Sequence, residues 1–245
     1  MKIVVLGGTG MIGSRLVRIL QAGEHEVAAH SLSTGVDLIS EKGLPEAVKG
    51  ADVVVNLTNS PTYDDGSLVF FRQSMENLLL ASEDADVRHL VVLSVIGAGS
   101  VHEVAYYRAK ALQEQLLQAG PVPFSIVRST QVFESVDGML RWSADENTVR
   151  LPGTLLQPIA AADLAWTLAQ VSAGPPLQGV RSIAGPEVFA LDELARITLA
   201  ARGDRRAVVK DDGVSMLAAV RGDALTAGFE SDIATTTYEQ WLTAR

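Results

Sequence analysis

Tyr106 and Lys110 stand four residues apart in "AYYRAKALQEQLL", and Ser94 precedes the tyrosine by twelve positions in "HLVVLSVIG". Together these three residue types can move a proton. On a helix, positions i and i+4 share a face, so a phenol and an ammonium can meet one ligand. A free tyrosine has a pKa of ~10, too high for acid–base work near neutrality, and an adjacent Lys⁺ favours the phenolate and lowers it. Tyr106 is therefore the expected proton donor, Lys110 its pKa modulator and an anchor for a ribose hydroxyl, and Ser94 the group that orients a substrate carbonyl.

A second constellation opens the chain. In "VVLGGTGMIGSRLV", Gly8, Gly10 and Gly13 read G-x-G-x-x-G, while Gly7, Gly10 and Gly13 read the wider G-x-x-G-x-x-G. An apolar strand precedes this turn and an amphipathic helix follows it, the context in which backbone N–H groups approach a pyrophosphate and the helix start packs on a sheet. The expected ligand is a dinucleotide, held along Gly7, Gly8, Thr9, Gly10, Met11, Ile12 and Gly13, with Arg15 just beyond. The second strand ends in "HSLST", where no carboxylate waits for a ribose 2′-OH. Ser31 and Ser33 could instead donate to a 2′-phosphate, which tilts the expectation to NADP and leaves NAD open. Asn56 should face the cofactor from another strand end, a polar turn being the equal reading. Gln131 and Phe133, beyond "FSIVRST", should line the nicotinamide or substrate pocket, with packing an equal explanation for Phe133.

These groups need a scaffold, and the chain alternates short β-branched runs with helix-length amphipathic segments, the pattern of βαβ units. "KIVVLG", "HEVAAHS", "ADVVVNLT", "RHLVVLSVIG" and "FSIVRST" read as strands, with a short extended piece at 36–38. Helices are expected at 11–21, near 45–49, at 65–83 and at 104–118. After Thr130 the rhythm loosens into a helix and the loop "ENTVRLPG". Then come a helix with Asp163 in its N-cap region, the strand "GVRSIAG", the helix of "ALDELARITLAARG" and a terminal helix in "TTTYEQWLTAR". The fold class is α/β, a doubly wound parallel sheet with a small C-terminal substrate lobe. Residues 1–130 form the dinucleotide-binding core and 131–245 the lobe, with segments around 156–184 returning to the core.

The bulk composition narrows the partners. A net charge of -9 disfavours nucleic acid, and the absence of cysteine excludes disulfides and thiolate chemistry. The four histidines lack metal-ligand spacing, so no metal site is expected. No apolar run approaches the ~20 residues that span a bilayer, and a cytoplasmic protein, free or as a homodimer, is expected. No G-x-S-x-G elbow and no G-x-x-x-x-G-K-[ST] loop occurs.

Across nearly its whole length the sequence resembles the NmrA-like group of atypical short-chain dehydrogenase/reductases. "GGTGMIG" is similar to the cofactor turn of that family, "LSVIGA" and "YYRAKALQEQLLQAG" to its serine strand and lysine helix, and "QPIAAADLA" to its turn before a late helix. "GVDL" resembles its Asp-Leu element, which implies Asp37 and Leu38 near the adenine. The family's frequent Arg-Pro after the "SIV" strand is here Arg128-Ser129, and a basic residue at the second strand end is missing. The resemblance implies a Rossmann core and NADP(H) more often than NAD(H). Two functions follow as expectations. One is an oxidoreductase transferring hydride between NADPH and a small carbonyl or quinone-like substrate; the other is a non-catalytic NAD(P)-binding redox sensor. A sugar-nucleotide epimerase fits less well, because the C-terminal portion looks small for such a substrate.

Overall fold

Runs of β-branched residues buried on both faces build the centre of the molecule, as they must in a parallel sheet covered by helices. The computed structural model describes residues 1–142 and 144–244. Its first half alternates β1 (Lys2–Leu6), α1 (Gly13–Ala22), β2 (Glu26–His30), α2 (Leu44–Val48), β3 (Val53–Asn56), α3 (Gly66–Asp84), β4 (His89–Val95), α4 (Ala105–Ala119) and β5 (Phe124–Ser129). Then follow α5 (Val136–Trp142), β6 (Thr148–Leu151), β7 (Leu155–Leu156), α6 (Ala161–Ala173), β8 (Gly179–Ala184), β9 (Phe189–Ala190), α7 (Leu191–Ala201), β10 (Ala207–Lys210), β11 (Asp232–Ile233) and α8 (Tyr238–Thr243).

The main sheet runs β11-β8-β5-β4-β3-β1-β2, and every pairing in it is parallel. From β1 the chain goes outward to β2 and then returns to β3 on the opposite side. The connection therefore reverses between β1 and β3, and in such sheets the crevice at that reversal is where ligands bind. Helices cover both faces. Met75, Leu78 and Leu117 pack on one with Leu44 and Val48, while Leu16, Leu20, Leu164 and Leu168 pack on the other. A third apolar cluster, around Phe133, Leu140, Val149, Leu191, Leu194 and Tyr238, forms the interior of the lobe.

One local expectation is corrected. The stretch "ENTVRLPG" is not a loop throughout, because Thr148–Leu151 pairs in parallel with Ala207–Lys210. Asp163 lies in the first turn of α6, with Ala160 at the N-cap, and its carboxylate accepts the Thr236 N–H at 3.2 Å. Within 36–38, Asp37 N donates to Lys42 O, so the segment folds back on itself before α2. Among the described residues no helix is long and apolar enough to cross a membrane, and no cluster of His, Cys, Asp and Glu could hold a metal ion.

Candidate active site

The glycine turn leaves β1 at Gly7, whose φ of +81° is a conformation that side chains rarely adopt. Gly7 N and Gly8 N both donate to His30 O, at 2.8 and 3.0 Å, which pins the turn to the end of β2. A Cβ on Gly13 would lie 2.2 Å from Gly7 O, so only glycine lets α1 begin this close to the turn. Gly7, Thr9 and Gly10 border a cavity of about 620 Å³. Met11 and Ile12 border a second, of about 440 Å³. Gly8 and Gly13 border neither, and their place is in the packing under the turn.

The larger cavity continues along the end of β2. There Thr9 Oγ1 donates to Ser31 Oγ at 2.9 Å, and the Ser31 and Ser33 hydroxyls lie 2.8 Å apart. Asp37 and Leu38 complete the wall. The Asp37 carboxylate accepts the Ser40 hydroxyl and the Ile39 N–H, and these bonds hold its pKa below the usual carboxylate value. Two expected cofactor contacts are not brought here. Arg15 donates to Met11 O at 2.6 Å and lies 3.5 Å from Glu134, so its guanidinium is turned to the lobe and borders neither cavity. Asn56 is buried, and its Oδ1 accepts both the N–H and the hydroxyl of Thr58. It closes a turn, and the residues facing the cavities are Thr58 and Asn59, which with Leu57 border both.

In the smaller cavity Tyr63, Tyr106, Tyr107, Met139 and Met216 supply aromatic and thioether walls, and Gln131 supplies an amide. Gln131 Nε2 donates to the Tyr107 hydroxyl at 3.2 Å. The Tyr106 hydroxyl donates to Asn59 Oδ1 at 2.9 Å. Lys110, only 3% exposed, also borders the cavity. Its Nζ donates to Leu93 O at 2.7 Å and to Gln113 Oε1, and sits 4.5 Å from the centre of the Phe71 ring. Burial lowers the Lys110 pKa to about 7, against the opposing pull of Glu114. The phenol of Tyr106 moves the other way. Burial, then the neighbouring Tyr63 and Tyr107, raise it well above the usual tyrosine value. The expectation that Lys110 depresses the tyrosine pKa is thus corrected, because the ammonium is bonded beneath the cavity and not to the phenol.

Ser94 is corrected as well. Strand periodicity puts it on the same face of β4 as Leu90 and Val92, towards α3 and α4. It is fully buried, and its hydroxyl donates to Glu114 Oε1 at 2.5 Å. Arg128 grips that carboxylate with Nε at 2.9 Å and with Nη2. Ser94 touches the cavity wall, but its hydroxyl belongs to this network. Phe133 lies in the lobe interior, 5.0 Å from the Tyr238 ring and 5.5 Å from that of Trp241, and lines neither cavity. Sequence reasoning missed Thr58, Asn59, Tyr63 and Tyr107. The polar run "LTNSPT" after β3 was the available signal for the first two.

The arrangement fits a dinucleotide. Two cavities flank the shared wall Leu57–Asn59, one beside the glycine turn and the hydroxyls of Ser31 and Ser33, the other beside Tyr106 and Lys110. Residues 7–173 match the family described as NAD(P)H-binding. An NAD(P)H azoreductase of Xenophilus azovorans is 26% identical over 224 residues, covering 82% of this chain and 74% of that protein. A short-chain dehydrogenase/reductase superfamily protein of Agrobacterium tumefaciens, solved with bound NAD, has a TM-score of 0.74 at 15% identity over 100% of this chain and 95% of that one. The triphenylmethane reductase of Citrobacter sp. has a TM-score of 0.65 at 17% identity over 86% and 79%. Fold and matches define an α/β protein of the NAD(P)H-binding kind, with the fold of the solved short-chain dehydrogenase/reductase. The chain belongs to the NAD(P)H-binding family.

Proposed function

We propose that the protein reduces a small carbonyl or quinone-like acceptor at the expense of NADPH, with NADH as the alternative donor. The observation that carries this reading is the pair of cavities meeting at Leu57–Asn59, with the glycine turn on one side and Tyr106 and Lys110 on the other. Gly7, Thr9, Gly10, Ser31, Ser33, Asp37 and Leu38 would hold the adenosine half, and Met11, Ile12 and Lys110 the nicotinamide half. No carboxylate ends β2 beside Ser31 and Ser33, which supports the phosphorylated dinucleotide, whereas the Asp37 carboxylate in the same cavity wall supports NADH as the alternative donor. Held there, the reduced dinucleotide would supply the hydride for the reduction.

Tyr106 stays protonated at neutral pH, so its phenol is a hydrogen-bond donor able to meet and polarise the acceptor oxygen, and the proton that completes the reduction comes from solvent. Lys110 borders the cavity, and its Nζ, bonded to Leu93 O and Gln113 Oε1, would have one further donor for a ribose hydroxyl. The tyrosine and methionine walls favour an aromatic acceptor over a sugar. Azo and triphenylmethane dyes, named for the two reductase relatives, are aromatic acceptors.

A second reading, a redox sensor without turnover, is favoured by one observation. With Ser94 bonded to Glu114, the serine–tyrosine–lysine set lacks its substrate-orienting hydroxyl. Fluorescence titration with NADPH and NADH, followed by an acceptor screen, separates the readings. The enzyme reading expects NADPH to bind and be oxidised, and Tyr106→Phe to lower kcat by about 100-fold with its Kd for NADPH little changed. Binding without oxidation of NADPH by any acceptor makes the protein a sensor, and no binding ends both readings.

A further inference from the structure

The loop after β3 reaches the tyrosine. Asn59 Oδ1 accepts the Tyr106 hydroxyl at 2.9 Å and the Ser60 N–H at 3.0 Å. Because the Ser60 N–H can only donate, the amide faces it with its oxygen, which fixes its orientation and makes the Tyr106 hydroxyl the donor to that oxygen. The loop itself is held at several points. Ser60 Oγ accepts the Thr62 N–H, the Tyr63 ring lies 5.1 Å from that of Tyr106, and Asp65 pairs with Arg108 of α4 at 3.0 Å. Asn59 also borders both cavities, so it stands where the two halves of a dinucleotide would join.

We infer that Asn59 is the positioning residue of Tyr106, doing from the loop after β3 what the sequence pattern assigns to Ser94 on β4. The inference rests on the reductase reading above. The Tyr106 ring is packed among others, with the ring centres of Tyr63, Phe71 and Tyr107 5.1 to 6.1 Å from its own. Rings give the side chain a place but no hydrogen-bond direction, and Asn59 supplies the direction. Its carbonyl keeps the phenol oxygen at the cavity wall, where rotation about the C–O bond can turn the proton to an acceptor. A carboxylate in the same place would bind the phenol proton more tightly and oppose its loss, whereas a protonated carboxyl has nearly the shape of the amide.

The test measures NADPH oxidation with menadione as acceptor, NADPH affinity by fluorescence, and unfolding, for Asn59→Ala, Asn59→Asp and Tyr106→Phe. Asn59→Ala is expected to lower kcat about 10-fold while KM and the NADPH Kd stay within about threefold. In the Tyr106→Phe background the same substitution should change the residual rate by less than about twofold, because two residues acting through one group do not add. For Asn59→Asp, kcat at about pH 8 should be at least as low as that of Asn59→Ala, because the ionised carboxylate holds the phenol proton. A normal kcat in Asn59→Ala, losses that multiply in the double variant, or a normal kcat in Asn59→Asp at about pH 8 each overturn the inference while leaving the reductase reading intact. Failure of the unmodified protein to oxidise NADPH removes that reading and this inference with it.

Discussion

Lys110 keeps an ammonium where water barely reaches, and its pH behaviour follows from that. Burial has moved its pKa from 10.5 to about 7. Between those values the unfolded chain holds the proton and the folded chain does not, so the unfolded state binds more protons and stability rises with pH across the window. The penalty of the buried charge is complete below about pH 7 and absent above about pH 10.5. Lys110→Met leaves Leu93 O and Gln113 Oε1 without their donor, so its absolute stability mixes two effects. The pH trend isolates one of them. Urea denaturation should find the unmodified protein gaining on Lys110→Met by a few kcal/mol from about pH 6 to about pH 10. A difference independent of pH would mean that the ammonium is not desolvated. The cavity positions of Tyr106, Lys110 and Gln131 were legible because helix and strand periodicity place side chains without reference to partners. Ser94 and Phe133 were not, since Glu114 and Tyr238 capture them across 20 and 105 residues of chain.

At the scale of elements, the turn from β1 into α1 sets two effects against each other. Alanine is a better helix former than glycine by about 1 kcal/mol, which favours Gly13→Ala. Its methyl would meet Gly7 O at 2.2 Å and Gly8 Cα at 2.7 Å, and both are backbone atoms fixed by bonds to His30. The clash outweighs the propensity. Gly13→Ala should lower stability by about 1–3 kcal/mol and weaken NADPH binding by at least about 10-fold, read by thermal unfolding and titration. Unchanged affinity would separate this turn from the dinucleotide. The strands of the main sheet other than the two-residue β11, and the long helices, could be read from sequence because each is a β-branched run or carries a helical period. The pair β6 and β10 could not, as four residues of alternating burial mean little until their partner, 59 positions on, is known.

For the whole molecule, the doubly wound class was legible from the alternation of strands and helices, but the path of the last third was not. After β5 the chain enters the lobe, returns through α6 and β8 to the sheet, and leaves again for β9, α7 and β10. It then comes back to lay β11 on the sheet edge, where Asp232 pairs with Arg181 at 2.7 Å. It ends in the lobe, where Tyr238 is buried beside Phe133. The two parts are therefore stitched together by several passes of one thread, not hung from a single hinge. A protease that cuts after the exposed Arg221 would sever the chain and free nothing. The short C-terminal fragment keeps one grip on the sheet through β11 and another on the lobe through α8, so the nicked protein should elute from gel filtration as one particle and separate only in denaturant.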